Sequence, residues 1–128
     1  MRKITLIIMH CSATPPGSSL SFEDCRRDHI EHRGFKDIGY HYYITRDGTL
    51  HYGRPESQVG AHCTNHNRHS IGICYEGGID DNGNPADTRT PAQLSTWNTL
   101  LSILSHRYPH ALIVRHRDLN PLKACPGF

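Results

Sequence analysis

The chain has 128 residues, of which 36% are hydrophobic and 20% charged, and its formal net charge is +2. This length holds one domain with a hydrophobic core, and a near-neutral balance without a dense Lys/Arg run argues against a nucleic-acid partner. The apolar run Ile4–Met9 is too short for a signal-peptide core or a membrane span, so the expectation is a chain made in the cytoplasm without a signal peptide and with no membrane partner.

Residues 4–11 are expected to form a buried strand that ends in His10-Cys11. Thr14-Pro15-Pro16-Gly17 opens a loop that cannot be helical. Ser21 with Asp24 has the form of a capping box, which predicts a helix over about 22–33 that stops at Gly34. Tyr42–Thr45 and Thr49–Tyr52 flank Arg46-Asp47-Gly48, and the Asp-Gly pair makes this a β-hairpin. Residues 53–69 read as an irregular polar loop, 70–75 as an apolar strand with Gly72 inside it, and 77–90 as a long Gly/Asp/Asn/Pro loop.

The clearest helix spans 91–107, where Thr90 caps, Pro91 opens and Gln93 completes the box. Leu94, Trp97, Leu100, Leu101 and Leu104 share one face and are assigned to the core. Leu112-Ile113-Val114 is expected to be a second buried strand, followed by a tail from 116 to 128. Strands alternating with helices, plus one hairpin, predict a single α/β domain over 1–128 with a central mixed β-sheet flanked by helices.

Eleven histidines are scattered along the chain. The five cysteines (11, 25, 63, 74 and 125) show no C-x-x-C pair, which is unlike a secreted disulfide framework. His10 and His116 each close an apolar strand, and Cys125 follows in a Pro-flanked loop. Two imidazoles and a thiolate suit one zinc ion with a fourth position left for water. Taken singly, each histidine reads more readily as a polar strand end than as a ligand, and composition and spacing alone favour that plainer reading. No His-Glu-x-x-His stands in the chain, which sets aside the helix-based metalloprotease scheme. Cys11 and Cys74 are expected as small buried core residues, and His41 is expected to face away from Tyr40.

Ile8-Met9-His10-Cys11-Ser12-Ala13-Thr14 resembles the first zinc motif of the type 2 N-acetylmuramoyl-L-alanine amidases, to which animal peptidoglycan recognition proteins are similar. The resemblance continues in order through Asp37–Tyr42, Arg46–Thr49, Val59–His62, Asn67–Cys74, Gly77–Asp81, Thr90–Gln93 and Lys123–Pro126. It implies the amidase and peptidoglycan-recognition-protein fold, and zinc held by His10, His116 and Cys125. It also implies Tyr40 and Lys123 as the catalytic pair and peptidoglycan or a muropeptide as substrate. The reaction it implies is hydrolysis of the amide between the lactyl group of N-acetylmuramic acid and L-alanine. His62, and with less support Asn67 and His69, are read as substrate contacts on the same basis.

This chain departs from phage relatives in carrying His29-Ile30 where they tend to have Trp-His, a change expected to alter groove packing. A monomer without a wall-anchoring module is expected, acting on the cell wall after release or export. Two rival readings stand beside this one. One is a peptidoglycan-binding module that does not cut, although such relatives typically lack the cysteine ligand that this chain keeps. The other is a regulator, because a phage relative binds its own RNA polymerase as an inhibitor.

Overall fold

The computed structural model describes residues 2–128. Five strands form one sheet in the order β3-β2-β4-β1-β5. They are β1 (Leu6–Cys11), β2 (Tyr42–Ile44), β3 (Leu50–Tyr52), β4 (Ser70–Tyr75) and β5 (Leu112–Arg115). β1 runs parallel to β4 and β5, and β2 runs parallel to β4. Only the hairpin partner β3 is antiparallel, to β2, so the sheet is mixed.

Helix α1 (Phe22–Glu31) covers one face and α2 (Pro91–Arg107) the other. Against α2 lie Ile7, Ile44, Ile71, Ile73 and Tyr75, with Trp97, Leu100 and Leu104 supplied by the helix. Burying Leu100 and Leu104 contributes about 1.5–3 kcal/mol each. Leu94 and Leu101 are half-buried at the margin of that stripe. Cys25, Ile38, Tyr43 and Cys74 form the smaller core under α1. Central strands β1 and β4 are covered on both faces, which is why Ile7 and Ile8, or Ile73 and Cys74, are buried side by side.

The expected capping box of α2 is present: Thr90 Oγ1 accepts from the Gln93 N–H at 3.0 Å and Gln93 Oε1 accepts from the Thr90 N–H at 2.9 Å. The buried Gln93 amide also donates to the carbonyls of Ile44 (3.1 Å) and Glu76 (3.0 Å), tying α2 to the ends of β2 and β4. Arg46 reaches from the hairpin turn to the carbonyls of Thr14, Pro15 and Ser18, fastening the loop after β1.

Three expectations need correction. α1 ends at Glu31, with His32 as its C-cap, earlier than Gly34. β5 is not a buried strand: it lies at the sheet edge, with Leu112 66% and Ile113 41% exposed. The tail begins with a short helix, α3 (His116–Leu119). All five cysteines are free, and Cys11 and Cys74 are buried as expected.

Candidate metal centre

The parallel register places Ser70, Gly72 and Cys74 opposite Leu6, Ile8 and His10. Side chains of register partners share a face, so His10 stands on the α1 side near the C-terminal ends of the strands. This is where sites gather in α/β sheets. β5 stays paired with β1 only as far as Met9↔Arg115, and then the chain turns into α3 with His116 as its first residue. Asp118 Oδ2 accepts the Arg115 N–H at 2.9 Å and so fixes that turn. The departure of β5 leaves the Cys11 N–H without a ladder partner. Cys125 Sγ takes that place, 2.9 Å from the Cys11 nitrogen. The Arg117 N–H to Cys125 carbonyl bond, 2.9 Å, closes the loop back onto α3.

These local reasons bring together the three residues expected to hold metal. The donor atoms of His10, His116 and Cys125 all lie within 4.8 Å of one another. In tetrahedral zinc sites, ligand atoms are about 3.3–3.7 Å apart, given bonds of about 2.0–2.3 Å, so modest side-chain rotation brings the three onto one ion. Their chemistry fits as well. Burial, with His62 and His116 beside it, holds His10 well below its ordinary pKa. Burial, then the Lys123 charge, lowers His116. Both rings are therefore neutral, as metal ligands must be. The Cys11 thiol and burial push the Cys125 thiol up; a divalent cation supplies the charge that favours its thiolate. A tetrahedral ion held by these three residues would keep one coordination position open.

The three donors line a cleft of about 310 Å³. It shares Arg33, Ala61, His62, His116 and Lys123 with an adjoining groove of about 480 Å³. Tyr40 precedes β2 and enters the cleft, its ring centroid 5.1 Å from that of His10. Burial, then the nearby Cys74, Cys125 and Cys25 thiols, raises the Tyr40 phenol well above its ordinary value, so the hydroxyl remains a proton donor. Lys123 is exposed at the rim shared by cleft and groove, and its N–H donates to the Asn120 carbonyl at 3.0 Å.

The three expected substrate contacts are placed differently from one another. His62 lines the cleft with both ring nitrogens engaged: Nδ1 is 2.8 Å from His10 Nε2, and Nε2 is 3.3 Å from Ser70 Oγ. Asn67 lines the groove, but its side-chain oxygen turns back to accept the His62 and Cys63 N–H groups, each at 2.9 Å. His69 pairs with His66 (ring nitrogens 3.4 Å apart) and lines neither cavity. His41 faces away from the cleft, as expected: Nδ1 accepts from the Gly72 N–H at 3.0 Å, and Nε2 lies 2.8 Å from the Gln58 carbonyl. His29 is buried beside the cleft and accepts the Gly39 N–H at 2.8 Å. Arg33, Phe35 and Asn120 also line the groove; none sits in a motif that marks it in the sequence.

Comparison with known proteins identifies the family and the fold. The family model described as N-acetylmuramoyl-L-alanine amidase (Amidase_2) matches residues 1–128. The endolysin of Enterobacteria phage K11 is 44% identical over 120 residues, covering 94% of this chain and 78% of that protein. Among solved structures, the N-acetylmuramoyl-L-alanine amidase LysC from Clostridium intestinale superposes with a TM-score of 0.84 at 30% identity, covering 99% of this chain and 78% of that one. Peptidoglycan recognition protein LE, solved in complex with tracheal cytotoxin (a monomeric diaminopimelic acid-type peptidoglycan), superposes with a TM-score of 0.82 at 26% identity, covering 99% and 76%. None of the helices among the described residues is long and apolar enough to cross a membrane. The chain belongs to the N-acetylmuramoyl-L-alanine amidase family, with the fold shared by the peptidoglycan recognition proteins.

Proposed function

We propose that this amidase is zinc-dependent and cuts the amide between the lactyl group of N-acetylmuramic acid and L-alanine in peptidoglycan. The observation that carries this reading is the His10–His116–Cys125 donor cluster at the floor of a cleft that opens into a longer groove. A zinc ion on this set would polarise the amide carbonyl and lower the pKa of water toward neutrality.

The protein's own residues supply the rest. The groove beside the cleft offers room for the substrate on either side of the scissile bond, and a structural neighbour, peptidoglycan recognition protein LE, is solved in complex with a monomeric peptidoglycan. Tyr40, kept protonated, donates a hydrogen bond to the carbonyl oxygen as negative charge develops there. Lys123 sets a positive charge over the same atom from the rim. Such donors and charges act most strongly in a cleft shielded from bulk water. Acting on the wall follows release or export from the cell.

Incubation with a purified muropeptide, followed by product mass, tests the assignment. The expected products are a peptide with a free L-alanine amine and a sugar that retains its lactyl carboxylate. Binding without cleavage would support the recognition-only alternative, and cleavage between stem residues would contradict the bond assignment.

A further inference from the structure

His62 sits where a substrate contact is expected, yet both its nitrogens are occupied by protein. Its ring meets the His10 ring edge-on, with centroids 4.9 Å apart at 89°, and Nδ1 is 2.8 Å from His10 Nε2. A ring nitrogen that donates a hydrogen bond has no lone pair to give a metal. With Nε2 turned to His62, the nitrogen His10 has left for an ion is Nδ1. A neutral His10 ligating through Nδ1 carries its proton on Nε2 and donates it to His62 Nδ1. His62 then carries its own proton on Nε2, directed at Ser70 Oγ 3.3 Å away. The hydrogen-bond chain His10, His62, Ser70 therefore has one polarity.

The fold makes room for this arrangement. His10, Gly72 and Ser70 lie on one face of the β1–β4 pair, and the His62 ring lies over Gly72. A Cβ on Gly72 would stand 2.6 Å from His62 Cγ, and one on Gly60 would stand 2.8 Å from His62 Cδ2. Any side chain at Gly72 would displace the ring. Asn67 pins the backbone of the same loop through the His62 and Cys63 N–H groups. Two glycines, one asparagine and one serine thus hold a single imidazole against a single metal ligand.

We infer that His62 is a positioning residue for the metal centre: it fixes the tautomer and ring orientation of His10 so that Nδ1 faces the ion. The inference rests on reading His10, His116 and Cys125 as zinc ligands. Hydrogen-bond partners of metal-bound histidines typically account for 10–100-fold in metal affinity.

The test is zinc affinity of metal-free protein by chelator competition, together with the visible spectrum of the cobalt-loaded form. His62→Leu removes the acceptor, and is expected to weaken zinc by about 10–100-fold and to shift the cobalt bands. His62→Asn places an amide oxygen near the Nδ1 position, and is expected to retain affinity to within a few-fold. If His62→Leu fails to fold, His62→Gln replaces it; its longer amide reaches toward the Nε2 position and is expected to lose affinity where Asn keeps it. Unchanged zinc affinity in the Leu or Gln variant, with a raised KM for muropeptide, would overturn the inference and mark His62 as a substrate contact. No zinc uptake by the unsubstituted protein would instead overturn the three-ligand reading, and the role of His62 with it.

Discussion

The Cys11 N–H donates to Cys125 Sγ across 114 positions of sequence, at 2.9 Å. The strand that carries His10 thus also orients the sulfur that completes the proposed ligand set. Because β5 ends its pairing at Met9↔Arg115, that N–H is free to do so. One hydrogen bond registers the C-terminal loop against β1.

Removing the sulfur should therefore act on metal first. Cys125→Ala is expected to lose zinc on gel filtration and to fall to background turnover, while the far-UV circular dichroism of the metal-free protein stays that of the parent. Zinc retained at one equivalent per chain would contradict the ligand assignment.

Lys123 and Tyr40 should separate from the ligands in the same assay. Lys123 is exposed, so Lys123→Ala is expected to leave stability within about 0.5 kcal/mol and zinc content unchanged. Its kcat should drop by about 10²–10³-fold, the size seen when one oxyanion donor is removed. Tyr40→Phe keeps the ring beside His10 and loses only the hydroxyl, and the same pattern is expected. A rise in KM with kcat preserved would assign either residue to binding instead.

Stability should fall with acid in part through His41. Burial, above all, holds its pKa at about 4, against the hydrogen bond to the Gln58 carbonyl, which raises it, and with the Arg2 charge lowering it further. In the unfolded chain the same ring titrates near 6.5. Between these values the unfolded state binds more protons, so acid favours unfolding. The contribution of His41 is complete above about pH 6.5, declines as pH falls toward 4, and is then exhausted; it amounts to about 3 kcal/mol. Urea titrations at pH 7 and 4.5 should show His41→Gln losing about 2–3 kcal/mol less than the parent across that window. Equal losses in both proteins would show that His41 does not carry this dependence.

Gln93 gives a prediction about the scaffold. Its buried amide serves two carbonyls and closes the α2 capping box. Gln93→Ala leaves the Glu76 carbonyl without that donor, while the Ile44 carbonyl keeps the Glu76 N–H at 2.9 Å; the orphaned buried group should cost about 1–3 kcal/mol. Thermal unfolding should show a clear drop in Tm; an unchanged Tm would mean that water replaces the amide.

Elements marked by local chemistry were legible in the sequence. α2 carries its own start signal in Thr90-Pro91 and Gln93, β4 is one apolar run, and the hairpin turns on Asp47-Gly48, so each lies where local rules put it. β5 was read correctly in extent and wrongly in burial, because Leu112-Ile113-Val114 is apolar whether the strand is central or at the edge. Sheet order decides that, and sheet order is not local. α3 is a single turn held by Asp118 to Arg115, too short to leave a periodic signal. At the site, the proposed ligands and the proposed catalytic pair were reached through resemblance to a family. The pairing of His62 with His10 was not visible, since it depends on the β1–β4 register and on the space over Gly72. Both are properties of packing between segments 52 residues apart.

The central claim is that amide hydrolysis by this chain depends on one metal ion held by His10, His116 and Cys125. The most direct measurement is turnover of a defined muropeptide by chelator-stripped protein, before and after one equivalent of zinc is returned. The account predicts background turnover in the stripped protein and recovery at a zinc-to-chain ratio of one. Full turnover by the metal-free protein would contradict it.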